Sequence, residues 1–228
     1  MKIGIIAAMP EELIHLTQNL DKPQEVQVLG NTYYTGSVGN TEVVLVQSGI
    51  GKVMSAMSVA VLANHFQVEA IINTGSAGGL AEGIAVGDVV IADKLVYHDV
   101  DVTAFGYAYG QMAGQPLYFE SDKNFIARIK ENLSKLEQNW HLGLIATGDS
   151  FIAGDDKIAS IKSHFPDVLA VEMETAGLYT LAAKYKAKAL SILTISDSLV
   201  SPEITSAEER EKTFSEMIEL ALEIATRM

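Results

Sequence analysis

Ala70-Ile71-Ile72-Asn73-Thr74-Gly75-Ser76-Ala77-Gly78-Gly79 is the stretch on which the reading of the fold turns. Its first half is a short apolar run of the kind found in strands buried on both faces. Its second half is either a plain turn or a loop whose glycines bring backbone N–H groups close to a ligand. The spacing predicts a strand over 70–74 that ends in a loop. Similar runs predict strands at Lys2–Ala8, Glu42–Gln47, Asp88–Ala92, His141–Ala146, Leu169–Val171 and Ala189–Ile195, and Asn31–Gly39 reads as an added hairpin strand. Between them, helices are predicted at Pro10–Asn19, Val53–Phe66, Lys123–Leu136, Asp156–His164, Thr175–Tyr185 and Ser206–Arg227. Strands alternating with helices imply an α/β domain with a mostly parallel or mixed sheet. No repeat, low-complexity tract or linker divides residues 1–228, so a single domain is expected. Ligands of such sheets bind off the carboxyl ends of the strands.

Composition narrows the function. The net charge of −13 repels a phosphate backbone and argues against nucleic-acid binding. There is no cysteine, hence no disulfide and no cysteine-based metal site or nucleophile. The apolar start Ile3–Ala8 is too short to span a membrane and resembles a strand more than a signal peptide, so a cytoplasmic protein without a membrane partner is expected. Arginine occurs only at Arg128, Arg210 and Arg227, which matters because arginine grips phosphate in two-pronged fashion.

Several short motifs lie at strand ends. Gly49-Ile50-Gly51-Lys52 is neither a Walker loop, since Val53 replaces the hydroxyl residue, nor a full dinucleotide fingerprint, since Met54 replaces the third glycine. Glu12, just after Pro10, is either a first-turn acid complementing a helix or a carboxylate placed to polarise water. His98, Asp99 and Asp101 lack a convincing ligand set, so no metal is expected. Phe105, Tyr107 and Tyr109 form an interface, a core or a ligand wall. Phe151, after Thr147-Gly148-Asp149-Ser150, is either a core aromatic or a ring that stacks on a flat base. Val171-Glu172-Met173-Glu174 sets two carboxylates where a buried strand meets a helix; they cap the helix, or one of them grips paired hydroxyls as on a ribose. Asp197 ends a buried run and is a candidate proton donor or a turn aspartate.

Taken together, Met9-Pro10-Glu11-Glu12, Ser48-Gly49-Ile50-Gly51-Lys52, Asn73-Thr74-Gly75-Ser76-Ala77-Gly78, Asp101-Val102-Thr103-Ala104-Phe105-Gly106, Thr147–Phe151 and Val171–Glu174 resemble the 5′-methylthioadenosine/S-adenosylhomocysteine nucleosidases. After Glu174, the stretches Thr175–Tyr185, Ala187–Asp197, Thr205–Arg210 and Thr213–Met217 resemble the hexameric, bacterial-type purine nucleoside phosphorylases. The pattern suggests a hybrid joined near 171–175. The resemblance implies a single-domain, three-layer nucleoside phosphorylase/nucleosidase-like fold with a central mixed sheet flanked by helices.

The resemblance also implies roles. Glu12 activates water, and Asp197, helped by Ser196, protonates the leaving base. Ser76, Met173 and Glu174 position the ribose, with Glu172 beside them. Phe151 and the Ile152 backbone hold adenine. Met9, Ile50 and Phe105 form the pocket for the apolar 5′-substituent, which a neighbouring subunit of a homodimer helps to close. Arg210 is a possible phosphorylase-like helper of Asp197. No cofactor or metal is implied, and the only small-molecule partner is a purine nucleoside. Two departures stand out. Leu193 replaces the nucleosidase arginine, and Asn73 replaces a phosphate-binding arginine of the phosphorylases. The expected activity is hydrolysis of the N-glycosidic bond, with phosphorolysis, or binding without useful turnover, as alternatives.

Overall fold

A computed structural model describes residues 1–133 and 139–199 of the chain. The core strand β1 (Lys2–Ala7) is buried from Ile3 onward and runs parallel to a neighbour on each side, β4 (Thr41–Gln47) and β5 (Ala70–Gly79). Outward from β4 the sheet continues antiparallel through β3 (Asn31–Val38) to the edge strand β2 (Asp21–Val28). On the other side of β5 lie β6 (Val89–Tyr97), β8 (Trp140–Thr147), β9 (Val168–Glu172) and β10 (Lys188–Ser198), with the short β7 (Phe119–Glu120) paired to β6.

These strands close a ring. β10 pairs with β5 in parallel and with β6 antiparallel, β6 pairs with β8, β8 with β9, and β9 returns to β5. The last link is made at Gly78 and Gly79, opposite Val171 and Ala170. The expected loop at 75–79 is therefore strand. Its glycines serve close approach: a Cβ on Gly78 would meet Leu199 Cδ1 at 2.9 Å, and one on Gly79 would meet side-chain methyls of Ile84 and Ile195 at 3.3 Å.

Helices cover both faces. Strand alternation sends Ile3, Ile5 and Ala7 to the side where α1 (Pro10–Gln18) and α3 (Lys123–Leu133) supply Leu13, Leu16, Phe125 and Ile129. Ile6 faces the other way, toward α2 (Lys52–Asn64) and α5 (Thr175–Tyr185), with Val59, Leu62, Leu178 and Tyr179. Gly4 lets α2 lie close, since a Cβ there would fall 2.8 Å from Leu62 Cδ1. α4 (Asp155–His164) adds Ile161 to a third cluster with Val96, Leu144 and Phe165. The three-layer mixed α/β architecture matches the expectation. The predicted helix at 206–227 lies outside the described residues.

Candidate active site

The carboxyl ends of β1, β5, β9 and β10 open into a cavity of about 180 Å³. The loops after β4 and β8 add Ile50 and Ser150–Ile152 to its wall. Met9, Glu12, Ser76, Glu172, Met173, Glu174, Ser196 and Asp197, eight positions singled out from sequence, meet here. So do Leu193 and Asn73, the two departures.

Glu12 sits at the third position of α1 and reaches back to its start. Its Oε2 accepts the N–H groups of Ala8 at 2.9 Å and Met9 at 3.1 Å. It is thus a helix-start acid that also stands at the end of β1 and lines the cavity. Gly75 makes the room: a Cβ there would fall 3.1 Å from Glu12 Oε1.

Asp197 owes its place to an irregularity in β10. Ile195 pairs with Ala77 and Asp197 with Gly78, so Ser196 is the extra residue of a bulge. Neighbouring residues of a regular strand face opposite ways, whereas a bulge re-aims them. Here Ser196 and Asp197 both line the cavity, and the Ser196 hydroxyl donates to Asp197 Oδ2 at 2.9 Å.

The two glutamates around Met173 differ in their partners. Glu172 Oε1 accepts the Thr147 hydroxyl, and Oε2 accepts the N–H groups of Glu174 and Thr175 and the Thr175 hydroxyl at 2.8, 2.7 and 2.6 Å. Its carboxylate caps α5. Glu172 was expected to bind substrate; it borders the cavity, but its acceptor sites are taken by the protein itself. Burial pushes its carboxyl up, against the pull of these donors. Glu174 accepts one N–H on each oxygen, Gly51 at 2.9 Å on Oε1 and Met173 at 3.2 Å on Oε2. Burial first, and then the neighbouring Glu172, push its carboxyl up to about 8.

Asn73 is 3% exposed and donates to the Thr175 hydroxyl at 2.9 Å, which in turn donates to Glu172. The position that would carry a phosphate-binding arginine is therefore part of the α5 cap. Leu193 lies opposite Gly75 as a buried apolar wall. Lys52 is not part of the cavity wall and pairs with Asp99 at 2.6 Å. No lysine, arginine or histidine lines the cavity among the described residues.

Aromatics resolve as well. Phe151 is 71% exposed at the mouth and lines the cavity, so it is not a core ring, whereas Ile152 beside it is buried. Phe105 does not join them. It ends a short 3-10 turn, Thr103–Phe105, is 80% exposed and lies outside the cavity wall. Tyr109 belongs to neither group, since it stacks on His164 and donates to the His98 carbonyl. Arg210 lies outside the described residues. Sequence reasoning did not name Leu199 as a wall residue, because it ended the last strand at Ile195. Thr74 has a buried hydroxyl without a hydrogen-bond partner among the described residues. No cluster of metal-ligating side chains occurs among the described residues.

A scan against models of protein families matches the phosphorylase superfamily over residues 2–228. Among solved structures, the chain is similar to a 5′-methylthioadenosine/S-adenosylhomocysteine nucleosidase from Streptococcus pneumoniae with a transition-state inhibitor. The two are 65% identical over 99% of this chain and 98% of that one, with a TM-score of 0.92. An S-adenosylhomocysteine nucleosidase from Streptococcus pyogenes, in complex with 5-methylthiotubericidin, is 52% identical over 100% and 97% of the two chains, with a TM-score of 0.94. A 5′-methylthioadenosine/S-adenosylhomocysteine nucleosidase from Neisseria meningitidis is 34% identical over 100% and 99%, with a TM-score of 0.94. The likeness covers the segment after residue 174 as well, which leaves a splice near 171–175 without support.

Proposed function

The chain belongs to the phosphorylase superfamily and, within it, to the 5′-methylthioadenosine/S-adenosylhomocysteine nucleosidases, and from that membership we propose that it hydrolyses the N-glycosidic bond of both nucleosides and releases adenine. One observation carries hydrolysis over phosphorolysis. The cavity holds Glu12, Glu174 and Asp197 and, among the described residues, no cationic side chain. A phosphate dianion would meet carboxylates and no counter-charge, whereas water needs only a base.

Cleavage passes through an oxocarbenium-like state in which charge leaves with the base and builds on the sugar. Asp197, held by Ser196, hydrogen-bonds and protonates the departing purine, stacked against Phe151 beside the Ile152 backbone. Glu174, with Met173 and Ser76, receives the ribose hydroxyls, because its oxygens keep acceptor capacity that Glu172 has spent. Glu12 takes a proton from the attacking water. Two main-chain N–H groups hold Glu12 in place, an anchoring that works with leucine at 193. Met9 and Ile50 offer an apolar wall to the 5′-substituent. No cofactor enters this scheme.

The active form is a homodimer in this reading. Ile50, Val53 and Phe105 are 59%, 74% and 80% exposed, a set of large apolar side chains that a second copy would cover. Phe105 serves the 5′ pocket of the neighbouring subunit. Sedimentation that finds only monomer at assay concentration would overturn this part.

The activity is tested by following adenine release from 5′-methylthioadenosine. The wild type turns over. Asp197→Asn and Glu12→Gln each lose roughly 10²- to 10⁴-fold in kcat, the usual share of a positioned acid or base. Binding without turnover in the wild type would contradict the reading.

A further inference from the structure

Lys52 takes no part in the chemistry proposed above, yet its side chain is only 19% exposed and tied on several sides. Its ammonium lies 2.7 and 2.6 Å from the two carboxylate oxygens of Asp99, 3.7 Å from Asp149 Oδ2 and 5.0 Å from the centre of the Tyr97 ring. Its main-chain N–H donates to Asp149 Oδ1 at 2.8 Å, and the Asp149 N–H donates to Asp99 Oδ2 at 2.8 Å. Three segments are thereby joined: the turn after β4, the loop after β6 and the loop after β8.

The turn after β4 has no cap of its own. Gly51 precedes α2 at φ 99° and offers no side chain, and the first turn of α2 has no acid. Two donors at this helix start are taken by carboxylates from elsewhere, Lys52 N–H by Asp149 and Gly51 N–H by Glu174 Oε1 at 2.9 Å. The Lys52 main chain is seated against Gly177 of α5, where a Cβ would fall 2.7 Å from the Lys52 carbonyl oxygen. The cluster of Lys52, Asp99 and Asp149 thus stands directly behind the one donor that reaches Glu174 Oε1.

We propose that Lys52 is a positioning residue: clasped between Asp99 and Asp149, it fixes the Gly49–Lys52 turn so that the Gly51 N–H holds Glu174 in place for the sugar hydroxyls. The assignment of Glu174 to the sugar rests on the nucleosidase reading; the clasp itself does not. Glu174 is faced by Glu172 from β9 and Glu12 from α1, which both raise its pKa, and by the N–H groups of Gly51 and Met173, which lower it. Loosening the turn removes one of the two lowering contacts. The carboxyl then stays protonated to higher pH. Ribose hydroxyls donate best to the ionised form, so the pH at which substrate binding strengthens moves upward with it.

The test is steady-state kinetics with 5′-methylthioadenosine from about pH 6 to about pH 9, beside thermal unfolding over the same range. Lys52→Met is expected to raise KM about tenfold with kcat within about twofold, the loss of one charge-assisted contact. Its KM–pH limb shifts to higher pH. Lys52→Arg restores most of the KM, and Asp99→Asn shifts the limb in the same direction as Lys52→Met. If Lys52→Met does not fold, Asp99→Asn, which leaves Lys52 its Asp149 partner, decides alone. Variants that lose thermal stability but keep the wild-type limb overturn the proposal. A wild type that releases no adenine refutes the nucleosidase reading instead; the clasp is then judged by whether these variants shift the pH dependence of unfolding.

Discussion

Glu172 and Glu174 are separated by one residue and do different work. How their partners differ was not legible in the sequence. The donors that set them apart, Thr147 on one and Gly51 on the other, lie 25 and 123 residues away. Glu12 was half legible: its place after a strand and near Pro10 marked it as a helix-start acid at a strand end, and only geometry showed that it reaches back to the N–H groups of Ala8 and Met9. Glu174 also yields a prediction about stability. Its carboxyl, pushed up to about 8 by burial and Glu172, binds a proton more tightly in the folded chain than in the unfolded one. Its contribution to stability is therefore full below about pH 4.5, the unfolded value, and is lost as pH rises through about 8. In the absence of ligand, the unfolding temperature of the wild type should fall between about pH 6 and about pH 9. In Glu174→Gln, which cannot ionise, that fall should be smaller. Equal pH dependence of the two proteins would show that Glu174 is already ionised at neutral pH.

The existence of the buried strands was legible from apolar runs, and strand ends were not. β5 runs on through Gly75–Gly79, and β10 through Ser196–Ser198, because ring closure supplies partners that a local reading cannot see. The edge strand β2, Asp21–Val28, went unread because its residues are mostly exposed and its sequence DKPQEVQV shows no apolar alternation until its end. The bulge at Ser196 is the most consequential of these features, since it places adjacent residues in one cavity. Where β6 and β8 end side by side, His98 N–H donates to the Thr147 carbonyl at 2.9 Å and the following residues run in contact. Gly148 permits this: a Cβ there would fall 2.4 Å from His98 Cε1, on a ring that is buried. Burial also lowers the His98 pKa, so the ring is neutral and packs as an apolar group. Gly148→Ala should therefore destabilise the protein by roughly 1–3 kcal/mol through overpacking. An unfolding temperature unchanged from wild type would show that the two segments separate freely.

At the scale of the whole molecule, alternation of strands and helices was enough to place the chain in the mixed α/β class, and the strand-end motifs were enough to suggest the family. The ring of five strands was not legible, because it depends on pairings between distant segments such as β10 with β6. Arginine scarcity was legible and proved informative, since the one position expected to test it, Asn73, is built into the α5 cap. The segment after residue 174 suggested a second family on local likeness. Full-length similarity to nucleosidases leaves that second resemblance without support.

Hydrolysis and phosphorolysis differ in the nucleophile, and among the described residues the cavity offers carboxylates to water and no cation to phosphate. The most direct measurement is product analysis after incubating the wild-type protein with 5′-methylthioadenosine in ¹⁸O-labelled water, with and without inorganic phosphate. Hydrolysis yields adenine and free methylthioribose carrying the label at its anomeric oxygen, at a rate independent of phosphate. Phosphate-dependent formation of a sugar 1-phosphate would contradict it.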